Sequence, residues 1–122
     1  MVKNLLLVAA GGSIGAALRY GVYFLIKPQP FPYVTLLINI AGSFVLGIIM
    51  ALSIKDVPTL KESYRLFLAT GICGGFTTFS SFSYENIYLL QAGKYNLAFI
   101  YILASVVAGI AAAWLGFKLV NH

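Results

Sequence analysis

The sequence has very few charged residues, and this scarcity limits the functions that it can support. Only 9% of its 122 residues are charged, with three acidic residues and eight basic residues, and its single histidine is the terminal His122. No pair of acidic residues is available for general acid–base catalysis. The one cysteine, Cys73, excludes an intrachain disulfide, and the spacing of a zinc site is absent. We therefore expect no enzyme and no catalytic residues.

A basic cluster of the kind that binds nucleic acid is also missing. The formal net charge is +5, but the basic residues are spread thinly along the chain. Basic loops that flank membrane spans explain this distribution better than a nucleic-acid surface does. We expect membrane lipid around the protein and no nucleic-acid partner.

Apolar residues are abundant, at 61% of the chain, against roughly 45–50% in soluble proteins. A membrane span needs about 20 such residues, and short turns with proline or glycine separate the apolar segments. The sequence predicts one all-α membrane domain over residues 1–122. We expect four spans over about 4–26, 33–54, 64–90 and 95–120, the third broken at a Gly-Gly/Thr-rich segment that begins at Gly74-Gly75.

Basic residues indicate how these spans are oriented. With four spans, both termini and the middle loop lie on one side, which carries five basic residues against two on the other. The first group is Lys3, Lys55, Lys61, Arg65 and Lys118, and the second is Lys27 and Lys94. The positive-inside rule therefore favours cytoplasmic termini, although so few charges give a modest signal.

Polar residues interrupt the third span, which is otherwise built to cross a membrane. Gly74 and Gly75 precede a run in which five of the seven residues from Thr77 to Ser83 carry hydroxyl groups. Such backbone is tolerated at membrane depth only where protein covers it or where it lines a wet cavity. In a helix, Phe79, Phe82 and Ser83 would share one face. This combination predicts a permeation path.

Three polar residues within the spans allow more than one interpretation. The Arg19 side chain either snorkels to the headgroups or forms an electropositive vestibule that attracts anions. The Asn39 amide either donates to an anion or bonds to another helix. Glu85, the only carboxylate within a span, marks a pore mouth, pairs with a basic group, or lies near the interface.

The remaining candidates are neutral side chains and backbone carbonyls. Phe79 and Phe82 either pack ordinarily or use their electropositive ring edges to favour an anion. Weak neutral donors in series let such an ion leave again. In the fourth span, Tyr101, Ser105 and Gly109 are spaced by four residues and so share one helix face. This face either packs against another helix or lines a pore. If the backbone is unwound near Gly74-Gly75, its free carbonyl oxygens can coordinate a small cation.

These residues resemble those of the Fluc/CrcB family of fluoride channels. The similarity covers all four spans and is most specific in the third, over the run GICGGFTTFSSFSYE at residues 71–85. It also includes Gly11–Tyr20, Asn39 with Gly42 and Gly47, and Tyr101 with Ser105. Ser81 stands where threonine is more usual in that family, and Gly109 stands where some relatives have serine.

The resemblance implies an antiparallel, dual-topology homodimer in the bacterial inner membrane, with two pathways for passive fluoride export that protects the cell. It implies that Asn39, Phe79 and Phe82 line the fluoride pathway and that Tyr101 and Ser105 border it. We add Ser80, Ser81 and Ser83 to the pathway, because their hydroxyls are neutral donors in the same run. The resemblance places Arg19 near the vestibule, and we assign Glu85 to the vestibule as well from its position after Phe82. Backbone carbonyls of Gly74 and Thr77 from both subunits would hold a structural sodium ion at the dimer centre.

Two other membrane functions fit the sequence less well. A small dual-topology multidrug exporter needs a buried carboxylate in an early span, and the first two spans contain none. A purely structural subunit would explain the small-residue stripes but not the hydroxyl run. A fluoride channel, as the resemblance implies, therefore remains the favoured interpretation.

Overall fold

The structure is a computed structural model that describes residues 1–27, 29–54 and 61–121. Within these ranges, regular secondary structure is entirely helical, and four helical stretches are long and apolar enough to cross a membrane. They are Val2–Leu25 (α1), Tyr33–Ser53 (α2), Glu62–Gln91 and Tyr95–Val120 (α6). The prediction of an all-α membrane protein with four spans is confirmed. The predicted turn residues Pro28 and 55–58, including Lys55, and the terminal His122 lie outside the described residues.

The third span consists of several helical pieces. They are α3 (Glu62–Arg65), a π-helical segment (Leu66–Cys73), α4 (Gly74–Phe76) and α5 (Phe79–Gln91). The chain leaves helical geometry at Thr77, with ψ 156°, and at Thr78, with φ −149° and ψ 117°. Within the predicted Gly-Gly/Thr-rich segment, Gly74 and Gly75 are helical, and the departure from helical geometry falls on the two threonines that follow.

Threonine chemistry explains why the helix restarts after this break. The Thr78 hydroxyl accepts a hydrogen bond from the Ser81 N–H at 3.1 Å, which makes Thr78 the N-cap of α5. Such a cap satisfies one of the N–H groups that a helix start leaves unpaired. The Thr77 hydroxyl donates to the Cys73 carbonyl at 2.9 Å and stays against the preceding turn.

The glycines of the third span serve close packing against α1. A Cβ atom at Gly75 would clash with the carbonyl oxygen of Gly12, and a Cβ at Gly15 would clash with that of Ile72. A Cβ at Gly11 would clash with the carbonyl oxygen of Phe67. The two backbones are therefore in contact, as small residues permit between membrane helices.

The third span changes its neighbour at the break. Before it, the π-helical segment and α4 pack on α1, and after it, α5 packs on α6. The helices α2 and α6 form a second close pair, in which Gly47 and Gly116 each approach the backbone of the other helix. The non-helical Thr77 and Thr78 thus lie where the two helix pairs meet.

Candidate functional site

Asn39, on α2, forms hydrogen bonds to the backbone of the third span where that span leaves helical geometry. Its Nδ2 donates to the Thr78 carbonyl at 3.1 Å, and its Oδ1 accepts from the Thr78 N–H at 2.8 Å. Thr78 is buried, and its backbone groups lie outside the helices, so they would be costly to leave unpaired. Asn39 therefore makes the interhelical contact that was one of its two predicted roles. One hydrogen of its amide keeps no protein partner among the described residues.

A cleft of about 280 Å³ lies beside the break. It is lined by Asn39, Ser43, Gly74, Thr77, Thr78 and Phe79, among others. In a continuous helix, the N–H groups of Thr78 and Ser81 would bond to the carbonyls of Gly74 and Thr77. Here the first donates to Asn39 and the second to the Thr78 hydroxyl. The carbonyls of Gly74 and Thr77, which both belong to residues lining this cleft, therefore lack their usual helical N–H partners.

Three aromatic rings form a continuous row from the surface of the chain to its interior. The ring centroids of Phe79 and Phe82 are 5.5 Å apart, and those of Phe82 and Tyr101 are 4.9 Å apart in an edge-on arrangement. Phe79 is 77% exposed, whereas Tyr101 is fully buried. Ordinary core packing therefore does not account for Phe79 within a single chain.

Glu85 lies at the inner end of this row and is held by hydroxyl groups from two other helices. Its Oε1 accepts from the Tyr101 hydroxyl at 2.7 Å, and its Oε2 accepts from the Thr35 hydroxyl at 2.7 Å. Because the single Thr35 proton goes to Glu85, the Tyr23 hydroxyl donates to Thr35 Oγ1. Among the described residues, no basic side chain pairs with the carboxylate.

Arg19 contacts the third span close to the break. Its Nε donates to the Gly75 carbonyl at 3.1 Å, and the residue is half-buried. This bond joins α1 to α4 and fixes the Nε end of the guanidinium group at the level of Gly75. A side chain that simply snorkels to the headgroups would not make this contact. The other guanidinium N–H groups are further donors on a positive charge.

The hydroxyl groups of the third and fourth spans differ in their partners. Ser83 donates to the Phe79 carbonyl at 3.0 Å, and the Ser80 hydroxyl lies 3.2 Å from that of Thr78. The Ser105 hydroxyl is buried with no hydrogen-bond partner in the part of the chain that the structure describes. A buried hydroxyl without a partner is uncommon, so Ser105 offers a free donor near the row of rings.

Comparison with known proteins identifies the family. Residues 6–117 match the family described as "CrcB-like protein, Camphor Resistance (CrcB)". The chain belongs to the CrcB family. The "Fluoride-specific ion channel FluC" of Azobacteroides pseudotrichonymphae is 47% identical over 122 residues, covering 98% of this chain and 97% of the relative. A protein of the same name from Thermus thermophilus is 44% identical over 121 residues, covering 97% of this chain and 95% of the relative.

Membership of the CrcB family, together with four apolar helices of spanning length, makes the chain a multi-pass membrane protein. The structure gathers most of its predicted site residues around the break and the row of rings. Sequence reasoning missed Thr35 and Tyr23, which complete the hydroxyl chain to Glu85. Thr35 precedes Asn39 by four residues on α2, and this helical spacing was a signal that could have found it.

Proposed function

We propose that this CrcB chain is a fluoride-selective channel that lets fluoride leave the cytoplasm passively and thereby gives resistance to its toxicity. The observation that carries the proposal is the row of Phe79, Phe82 and Tyr101, which runs from the chain surface to its interior with no basic side chain in it. The relatives named as fluoride-specific channels support the identity of the ion.

Neutral groups along this row suit an anion that must bind and then leave. A phenyl ring is electropositive at its edge, so edges facing a narrow path favour an anion without trapping it. The free Ser105 hydroxyl and the spare Asn39 amide hydrogen add neutral donors. Ser80, Ser81 and Ser83 follow on α5, and we assign their hydroxyls to the same pathway. Arg19 and Glu85 belong to the vestibules in this scheme.

The active unit in this proposal is an antiparallel homodimer of dual topology with two pathways, in a bacterial inner membrane. The reason is the exposure of the site in one chain: Phe79, Ser80 and Gly74 are exposed in the middle of a span. The Gly74 carbonyl has lost its helical N–H partner, and lipid does not satisfy such a group, so a second copy that covers this face resolves the conflict. The five-to-two bias of basic residues is weak enough for both insertions.

A structural sodium ion at the dimer centre fits the residues at the break. The carbonyls of Gly74 and Thr77 have lost their helical N–H partners, and Gly74 is exposed. Unwound carbonyls of this kind coordinate Na⁺ in membrane proteins. Two carbonyls from each of two subunits would supply an all-oxygen site, and the ion would hold the two breaks together.

Ion release from liposomes tests the proposed function. Purified protein is reconstituted into vesicles loaded with potassium fluoride, a potassium ionophore is added, and fluoride in the medium is followed with an electrode. We expect fast fluoride release and almost no chloride release from matched potassium chloride vesicles. Protein-free vesicles give the background, and equal release of the two anions would refute the selectivity.

A further inference from the structure

A second cleft, of about 310 Å³, lies where the end of α1, the connection to α2 and the outer half of α5 meet. It is separate from the cleft beside the break. Five aromatic side chains line it together with one carboxylate: Tyr23, Phe31, Tyr33, Tyr84, Tyr88 and Glu85. Its volume is at the lower end of the range of small-molecule sites, roughly 300–1,000 Å³.

The carboxylate in this cleft has no counter-ion in the described part of the chain. Each oxygen of Glu85 accepts one hydroxyl hydrogen bond, from Thr35 or Tyr101, and each keeps a further acceptor site. Arg19 donates to the Gly75 carbonyl instead, and Lys27 is exposed and does not line the cleft. A carboxylate in a membrane span without a cation is costly.

The aromatic lining indicates which kind of cation would fit. Tyrosine and phenylalanine faces attract cations, and such cages bind quaternary ammonium groups. A bare metal ion prefers oxygen ligands and its own water, which these rings do not provide. Tyrosines at a membrane interface also act as headgroup-level anchors. That role does not explain why three exposed tyrosines, Tyr33, Tyr84 and Tyr88, line the same cleft as the Glu85 carboxylate.

We propose that this cleft binds an alkylammonium cation, whose charge faces the Glu85 carboxylate and whose methyl groups contact the tyrosine rings. The cation is either a free quaternary ammonium solute or the headgroup of a phospholipid. Binding itself does not depend on the proposed channel function. One consequence does rest on it: a bound cation would neutralise Glu85 and lower its repulsion of an anion near the inner end of the ring row.

Direct binding tests the proposal without any transport measurement. Tetramethylammonium chloride is titrated into purified protein in a non-ionic detergent, in a buffer that contains sodium to fill the proposed sodium site. Binding is followed by calorimetry, against potassium chloride at the same ionic strength. We expect saturable binding of tetramethylammonium alone. Tyr88→Leu and Tyr84→Leu should each weaken it by about threefold or more, whereas Tyr88→Phe keeps the ring and should bind nearly as well.

Tyr95→Leu is the matched control, because Tyr95 is a similarly exposed tyrosine on α6 that lies outside the cleft. Glu85→Gln should abolish binding, and size-exclusion chromatography checks that each variant is folded. Absence of saturable binding, or equal effects of Tyr88→Leu and Tyr95→Leu, would overturn the proposal and leave the tyrosines as interfacial anchors.

Vesicle composition distinguishes the two sources of the cation. If a lipid headgroup occupies the cleft, the apparent affinity for tetramethylammonium falls in phosphatidylcholine vesicles relative to vesicles of an uncharged galactolipid, which has no ammonium group and does not concentrate cations at its surface. If a free solute is the ligand, the two compositions give the same affinity. A channel that fails to conduct fluoride but binds tetramethylammonium would refute the proposed function and leave this site intact.

Discussion

Removing the Asn39 amide should destabilise the protein through the backbone of Thr78. In Asn39→Ala, the Thr78 N–H and carbonyl both lose their partners, which now lie at 2.8 and 3.1 Å. Thr78 is only 7% exposed, so water has little access to either group. Leaving a buried polar group unsatisfied costs about 1–3 kcal/mol, so the two together should cost about 2–6 kcal/mol.

Asn39→Asp separates the two contacts. A carboxylate oxygen can still accept from the Thr78 N–H, but the second oxygen replaces a donor and faces the Thr78 carbonyl. We expect this variant to lose stability as well, because two acceptors are brought together. Fluoride flux should also fall in both variants, since the break then loses the contact that shapes it.

Unfolding by titration with sodium dodecyl sulfate, followed by circular dichroism, measures these changes. Ser53→Ala is the matched control on the same helix, because the Ser53 hydroxyl donates only to the Ile49 carbonyl one turn earlier. Such bonds within a helix contribute little to stability. If Asn39→Ala were no more destabilising than Ser53→Ala, the argument that Asn39 holds the break would be refuted.

Three further predictions concern packing, assembly and sodium. Gly75→Ala should cost about 1–3 kcal/mol in the same unfolding assay, because its Cβ would clash with the Gly12 carbonyl; Gly21→Ala, which meets no atom within 4 Å, should be neutral or mildly stabilising. In a dual-topology dimer, a cysteine that replaces the exposed Ala92 should be labelled from both sides of the membrane. Labelling from one side alone would contradict dual topology. The adjacent Gly93 is unsuitable for this substitution because its φ is 77°. Replacing Na⁺ by K⁺ should lower the temperature at which the purified dimer dissociates, whereas an unchanged temperature would count against the sodium site.

The sequence was sufficient for the four spans, and it located the break only to a Gly-Gly/Thr-rich segment. Long apolar runs with proline or glycine turns specify membrane helices almost by themselves. The pair Gly74-Gly75 suggested a local interruption, yet Gly75 is helical and provides room for the Gly12 backbone. The break lies at Thr77 and Thr78, where Asn39 supplies partners from a different helix. The threonine N-cap is a local signal for the helix restart, but no local pattern around Thr78 indicates its contact with Asn39.

Contacts between different helices also limited what the sequence could predict about the row of aromatic rings. Helical spacing correctly suggested that Phe79 and Phe82 lie together, since their rings are in contact. It did not reveal that Tyr101 is fully buried against both Phe82 and Glu85. Contacts of this kind depend on how α5 packs on α6, which the spacing within one helix does not determine.

The central claim is that fluoride passes along the row of aromatic rings, and flux through phenylalanine variants tests it most directly. Phe79→Ile and Phe82→Ile keep an apolar side chain but remove the electropositive ring edge. Such apolar exchanges typically cost less than about 1.5 kcal/mol in stability, so both variants should purify as folded protein. Cys73→Ala, in a buried position on the same span, is the control that should conduct normally. We predict a severe loss of fluoride release from liposomes in both phenylalanine variants, and near-normal release in both would contradict the account.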